Sequence, residues 1–115
     1  MTKVGLAEVD LLEETLSYRE GVTGIEHTIF ISTNGNTPLA PRIKIAIDPP
    51  NSVDPRAKTA SIAITDGAVT AGDVPLVLLA QVRRFVALNR DVLLDYWDYK
   101  IDADELRQRL QSIEP

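Results

Sequence analysis

The spacing of apolar residues changes near residue 70, and this change constrains the fold more than any other feature of the sequence. Between residues 25 and 65, apolar residues recur at every second position, which is typical of half-buried β-strands. From Val74 to Ile113 they recur at every third or fourth position, which is typical of amphipathic helices. Strands followed by helices predict an α+β fold, and 115 residues suit a single domain with one core.

The strand region, residues 23–71, predicts three or four antiparallel strands. Isoleucines alternate with other residues from Ile25 to Ile31 and again from Ile43 to Ile47. A third strand is expected over residues 58–65 and a short fourth over 68–71. Three prolines between residues 48 and 55 remove backbone donors, so that segment is expected to be a loop.

The helical half, residues 72–115, is expected to cover one face of this sheet. Asp73 is a candidate N-cap for the first helix, with Pro75 tolerated in its first turn. Asn89 is expected to end or bend that helix, and Asp91 to cap a second one. Asp102, followed three residues later by Glu105, resembles a capping box that starts the last helix.

An N-terminal helix is predicted within residues 1–22, from Ala7 to Tyr18. An isolated helix of that length is marginal in water, so its apolar stripe needs a second surface to bury it. We therefore predict a homodimer in which this segment takes part. The stripe consists of Leu6, Val9, Leu12 and Leu16.

His27 is the only histidine and the only weak candidate for a catalytic residue, as a general base. It shares the predicted inward face with Ile25, Ile29 and Ile31, which favours a hydrogen-bonded core histidine instead. The chain has no cysteine, and its glycines form no phosphate-binding or dinucleotide-binding motif. We therefore expect no metal site and no cofactor.

Charge is unevenly distributed: the net charge is −5, yet the segment 40–90 is basic. Asp91, Asp95, Asp98 and Asp102 are expected to form a solvated acidic helix face. Tyrosines are favoured at interfaces, so two of them join four basic residues as candidates for contact with a partner. These candidates are Arg42, Lys44, Arg56, Lys58, Tyr96 and Tyr99.

No apolar run approaches the roughly 20 residues that a membrane-spanning helix requires. Residues Met1 to Asp10 lack the continuous apolar core of a signal peptide. Together with the absence of cysteine, these observations predict a cytoplasmic protein without membrane contact.

The segment from Asn89 to Trp97 reads N-R-D-V-L-L-D-Y-W. It resembles a family of small bacterial domains of unknown function that end in an N-R-x-x-L-L-x-x-W helix after short strands. The resemblance covers roughly residues 25–100. Members of that family are often encoded beside toxin–antitoxin-like partners, but the family has no established activity, so the resemblance implies the order of strands and helix and little about function. The family often has histidines in its second strand, where this chain has none.

Three functions are compatible with the sequence. The favoured one is a non-catalytic bacterial protein-interaction module that forms a homo-oligomer. The second is a nucleic-acid-binding regulatory or toxin–antitoxin component that uses the basic segment 40–90. The third is a small enzyme that uses His27 and nearby acids.

Overall fold

The computed structural model describes residues 15–113. Within them, five strands form one antiparallel sheet in which each strand pairs with the next along the chain. The strands are β1 (Thr15–Tyr18), β2 (Ile29–Ser32), β3 (Arg42–Asp48), β4 (Lys58–Ala63) and β5 (Val69–Ala71). The helices of this part of the chain are α1 (Glu20–Thr23), α2 (Leu76–Trp97) and α3 (Ala103–Arg109). The predicted α+β class is confirmed, but the sheet has more strands than the three or four expected.

One face of the sheet is buried, and isoleucine supplies most of it. Ile29 of β2 lies opposite Ile45 of β3, and Ile43 of β3 lies opposite Ile62 of β4. β-branched side chains suit such a pleated, buried surface. The core side chains that α2 contributes to the same cluster are Leu78, Val82, Phe85, Val86, Val92, Leu93 and Tyr96.

The predicted N-terminal helix is wrong over the residues where it can be compared with the structure. Thr15–Tyr18 form β1, which pairs with β2 over its whole length. Leu16 and Tyr18 pack against the isoleucine core from this strand. Burial raises the pKa of the Tyr18 phenol above its ordinary value, and the positive charge of Arg107 opposes that shift. The remainder of the predicted helix lies outside the described residues, and with it Leu6, Val9 and Leu12.

Helix α2 is continuous through residues 89 and 91, so it does not end at Asn89, and the predicted second helix that begins at Asp91 is wrong. Asn89 is buried, and its Nδ2 donates to the Phe85 carbonyl oxygen one turn earlier at 2.9 Å. Asp91 is an exposed residue inside the helix and does not cap a new one. The helix begins after Pro75, without a side-chain cap, so the prediction of Asp73 as N-cap is also wrong.

Helix α3 begins as predicted, because Asp102 Oδ1 accepts a hydrogen bond from the Glu105 backbone N–H at 2.9 Å. Strand β2 begins at Ile29 and not at Ile25. None of the helices within residues 15–113 combines the length and apolar character that crossing a bilayer requires.

Candidate functional site

The C-terminal tail, residues 110–113, leaves α3 and returns along α2. Asn89 holds this tail twice: its Nδ2 donates to the Gln111 carbonyl oxygen at 2.9 Å, and its Oδ1 accepts from the Gln111 N–H at 2.8 Å. Further along, the Ile113 N–H donates to the Thr23 carbonyl oxygen at 2.9 Å. The tail is therefore fixed at two points, and it forms a wall beside α2.

Between this wall and α2 lie three adjoining clefts that share lining residues. The first, of about 610 Å³, lies at the beginning of α2, and the second, of about 620 Å³, lies beside its middle. The third, of about 310 Å³, continues toward residue 92. We call this depression the α2 groove. Its α2 wall includes Val77, Gln81, Arg84 and Leu88, and its tail wall includes Gln111 and Ile113.

Apolar side chains are exposed in the wall of the groove and next to it. Leu76 is 83% exposed, Val77 76% and Leu88 46%. Side chains of this size are usually buried in cores, and Leu76 and Val77 are exposed side by side, which is typical of interaction surfaces. The outward side of α2 therefore carries these apolar residues together with exposed charged residues such as Arg84 and Asp91.

His27 lines the first cleft together with Glu20, Glu26 and Arg84. It is half-buried, and its Nδ1 lies 2.7 Å from the carbonyl oxygen of Ala46. A carbonyl oxygen only accepts, so Nδ1 carries the proton and donates. This bond fixes the orientation of the ring in the lining of the groove. In the part of the chain that the structure describes, no hydrogen bond or ion pair joins His27 to an acidic side chain.

The hydrogen bond predicts a specific stability effect at His27. His27→Leu removes the donor to Ala46, a fully buried residue, and is expected to lower the free energy of unfolding by about 1–2 kcal/mol. His27→Asn places its amide nitrogen close to the position of Nδ1 and should recover at least half of that loss. Urea denaturation at neutral pH measures both variants. Equal losses in the two variants would show that the Nδ1 bond contributes nothing.

The four basic candidates are not gathered into one free patch. Arg42 lies over the Trp97 ring at 5.6 Å from its centroid, a cation–π contact. Lys44 is half-buried, and the exposed Lys58 lies opposite Asp48 in the β3–β4 strand register. Arg56 contacts Asp54 at 3.1 Å. The Arg56 backbone N–H, and then its side chain, lower the pKa of Asp54.

The two tyrosine candidates have different environments. Tyr96 is 1% exposed and belongs to the core, so it does not offer a surface to a partner. Tyr99 is 49% exposed and lies just beyond the end of α2. Its hydroxyl accepts a hydrogen bond from the Gly35 N–H at 3.1 Å. Only Tyr99 is therefore placed to contact a partner.

The predicted acidic face is divided between the two C-terminal helices. Asp98 ends α2 and Asp102 caps α3. Asp95 pairs with Arg109 of α3 at 3.3 Å, which joins the two helices. Among the described residues, no group of three histidine or acidic side chains is placed to hold a metal ion.

Comparisons with known proteins give no relative. No family model matches the chain, and neither the curated proteins nor the solved structures contain a significant match. The resemblance of residues 89–97 to the bacterial domain family therefore stays a prediction.

Proposed function

We propose that this chain is a non-catalytic protein-interaction module of the cytoplasm that binds its partner through the α2 groove and the apolar residues beside it. The observation that carries the proposal is the exposure of Leu76, Val77 and Leu88 on the outward side of one long helix. The absence of cysteine suits the reducing compartment.

The energetics favour such a role. Fully burying a valine or leucine side chain contributes about 1.5–3 kcal/mol. A few such residues in a groove are enough to form the centre of an interface. With 22 residues, α2 offers a strip roughly 33 Å long. Arg84 and Gln81 line the groove and supply polar groups for specificity.

The nucleic-acid and enzyme alternatives have less support. Arg42 and Arg56 are engaged within the chain by Trp97 and Asp54. His27 lines a cleft, which an enzyme would need, but its Nδ1 is bound to a backbone carbonyl. A general base needs hydrogen-bond reach to its substrate, so only Nε2 would serve.

Site-specific photo-crosslinking tests the proposal. A benzophenone amino acid placed at Val77 or Leu88 in the full chain should crosslink to a defined protein in the cell that makes it. The same group at Gln108, an exposed position on α3, should not. The captured protein is then purified, and Leu88→Asp is expected to weaken its binding about tenfold or more in calorimetry.

A second copy of this chain counts as a captured protein. The proposal fails if neither Val77 nor Leu88 crosslinks to any protein. It also fails if the purified partner binds the Leu88→Asp variant as tightly as it binds the parent chain.

A further inference from the structure

The outward side of α2 carries a short series of residues at helical spacing. Ala80, Arg84, Ala87 and Asp91 are exposed and recur every three or four positions, and the exposed Leu88 lies four residues after Arg84. Residues with this spacing lie along one side of a helix. The series has small and apolar residues at its middle, with a positive charge on one side and a negative charge on the other.

This order is self-complementary when the helix meets an antiparallel copy of itself. A two-fold axis midway between Ala87 and Leu88 places Ala87 of each copy opposite Leu88 of the other copy. The same axis sets Arg84 opposite Asp91 of the second copy, and symmetry repeats the pair.

The shape of the groove agrees with this register. Ala87 has a small side chain, and the cleft of about 620 Å³ opens beside it. Leu88 of the second copy would enter this space and contact Ile113 in the tail wall. A large apolar side chain that fills a hollow next to a small one is the usual way in which helices interlock.

We propose that the partner of the α2 groove is a second copy of this chain, packed antiparallel along α2 with Arg84 facing Asp91 of the other copy. This inference rests on the proposed function, because it names the partner of the same surface. It differs from the sequence prediction, which placed the dimer contact on the N-terminal segment.

Charge decides between this register and its nearest rival. An axis near residue 82 would set Leu76 opposite Leu88 of the second copy and bury the most exposed leucine. That axis, however, brings the exposed Arg84 of one copy close to Arg84 of the other. Like charges in contact are unfavourable, and opposite charges fix register and orientation.

Charge reversal tests the register, with analytical ultracentrifugation of the full chain as the measurement. Arg84→Glu sets two acids against each other at both ends of the interface, and Asp91→Arg does the same with two bases. Each variant alone is expected to dimerise about tenfold or more weakly than the parent. An equimolar mixture of the two should dimerise again, because every facing pair is then opposite in charge. The double variant should also recover.

Arg107→Glu, a charge reversal at an exposed position on α3, is the matched control and should leave dimerisation unchanged. Circular dichroism confirms that each variant is folded. The register is overturned if neither single reversal weakens dimerisation, or if the equimolar mixture dimerises as weakly as each variant alone. If the parent chain is monomeric, the proposal that its partner is a second copy of the chain is overturned. The proposed interaction module is then still supported if crosslinkers at Val77 and Leu88 capture another protein, and if that purified protein binds the Leu88→Asp variant more weakly than the parent chain. It is contradicted if they capture no protein.

Discussion

Asn89→Ala is expected to lower the free energy of unfolding by about 2–3 kcal/mol. The wild-type side chain is 2% exposed and makes hydrogen bonds to Phe85 and, in both directions, to Gln111. Alanine leaves the Gln111 N–H and carbonyl groups without these partners and opens a small cavity between α2 and the tail. Urea or thermal denaturation measures the loss.

Gln108→Ala, an exposed change on α3, is the matched control and should stay within about 0.5 kcal/mol of the parent. Amide hydrogen exchange adds a local readout, since the Gln111 N–H should lose its protection in Asn89→Ala even where the rest of the domain keeps it. A loss of stability below about 1 kcal/mol would mean that the tail is held by its apolar contacts instead.

Much of the fold follows from hydrophobic periodicity. The isoleucines of β3 alternate along a strand that is buried on one side, and the first apolar helix does cover that side. The turn and loop residues between them also separate the strands as expected. These features are predictable because each one is encoded within a few consecutive residues.

The sequence does not predict strand β1, because a helical spacing and a strand spacing of apolar residues overlap there. Leu12 and Leu16 are spaced as in a helix, whereas Leu16 and Tyr18 alternate with Thr15 and Ser17 as in a strand. Four residues are too few for period alone to decide between them. Pairing with β2 decides it, because antiparallel hydrogen bonds and burial of Leu16 and Tyr18 outweigh local propensity.

Asn89 was misinterpreted for a related reason. Asparagine is favoured at helix ends, but its side chain also bonds back to the carbonyl four residues earlier when it lies inside a helix. Its position does hold a signal, since it falls on the apolar face between Val86 and Leu93. A polar residue on a buried face requires a partner, and Gln111 is that partner.

The groove itself was not predictable from the sequence. Its walls come from residues 20–27, 75–92 and 109–113, which are far apart along the chain. Of the residues that line the groove, only His27 and its neighbours could be recognised from the sequence as candidate site residues. Where the tail lies depends on two contacts, one at Asn89 and one at Thr23 and Gly24, and no periodicity encodes either.

The second large effect is expected at Gly24. This residue ends α1 in the left-handed region with φ of 82°, and a Cβ atom there would collide with the Ile113 carbonyl oxygen. Gly24→Ala should therefore cost about 2–5 kcal/mol, since it combines backbone strain with a backbone clash. Gly21→Ala is the matched control, because Gly21 lies inside α1 with nothing within 4 Å of the added atom. That variant is expected to be neutral or slightly stabilising.

Combining Gly24→Ala with Asn89→Ala tests whether both residues act through the tail. The clash at Gly24 is relieved when Ile113 moves away, and a displaced tail has already lost the contacts between Gln111 and Asn89. The loss in the double variant should then be smaller than the two single losses together, by about 1 kcal/mol or more. Strictly additive losses would show that the two residues stabilise the domain independently. In that case Asn89 and Gly24 would hold separate parts of the groove wall, and the tail would not unfold as one unit.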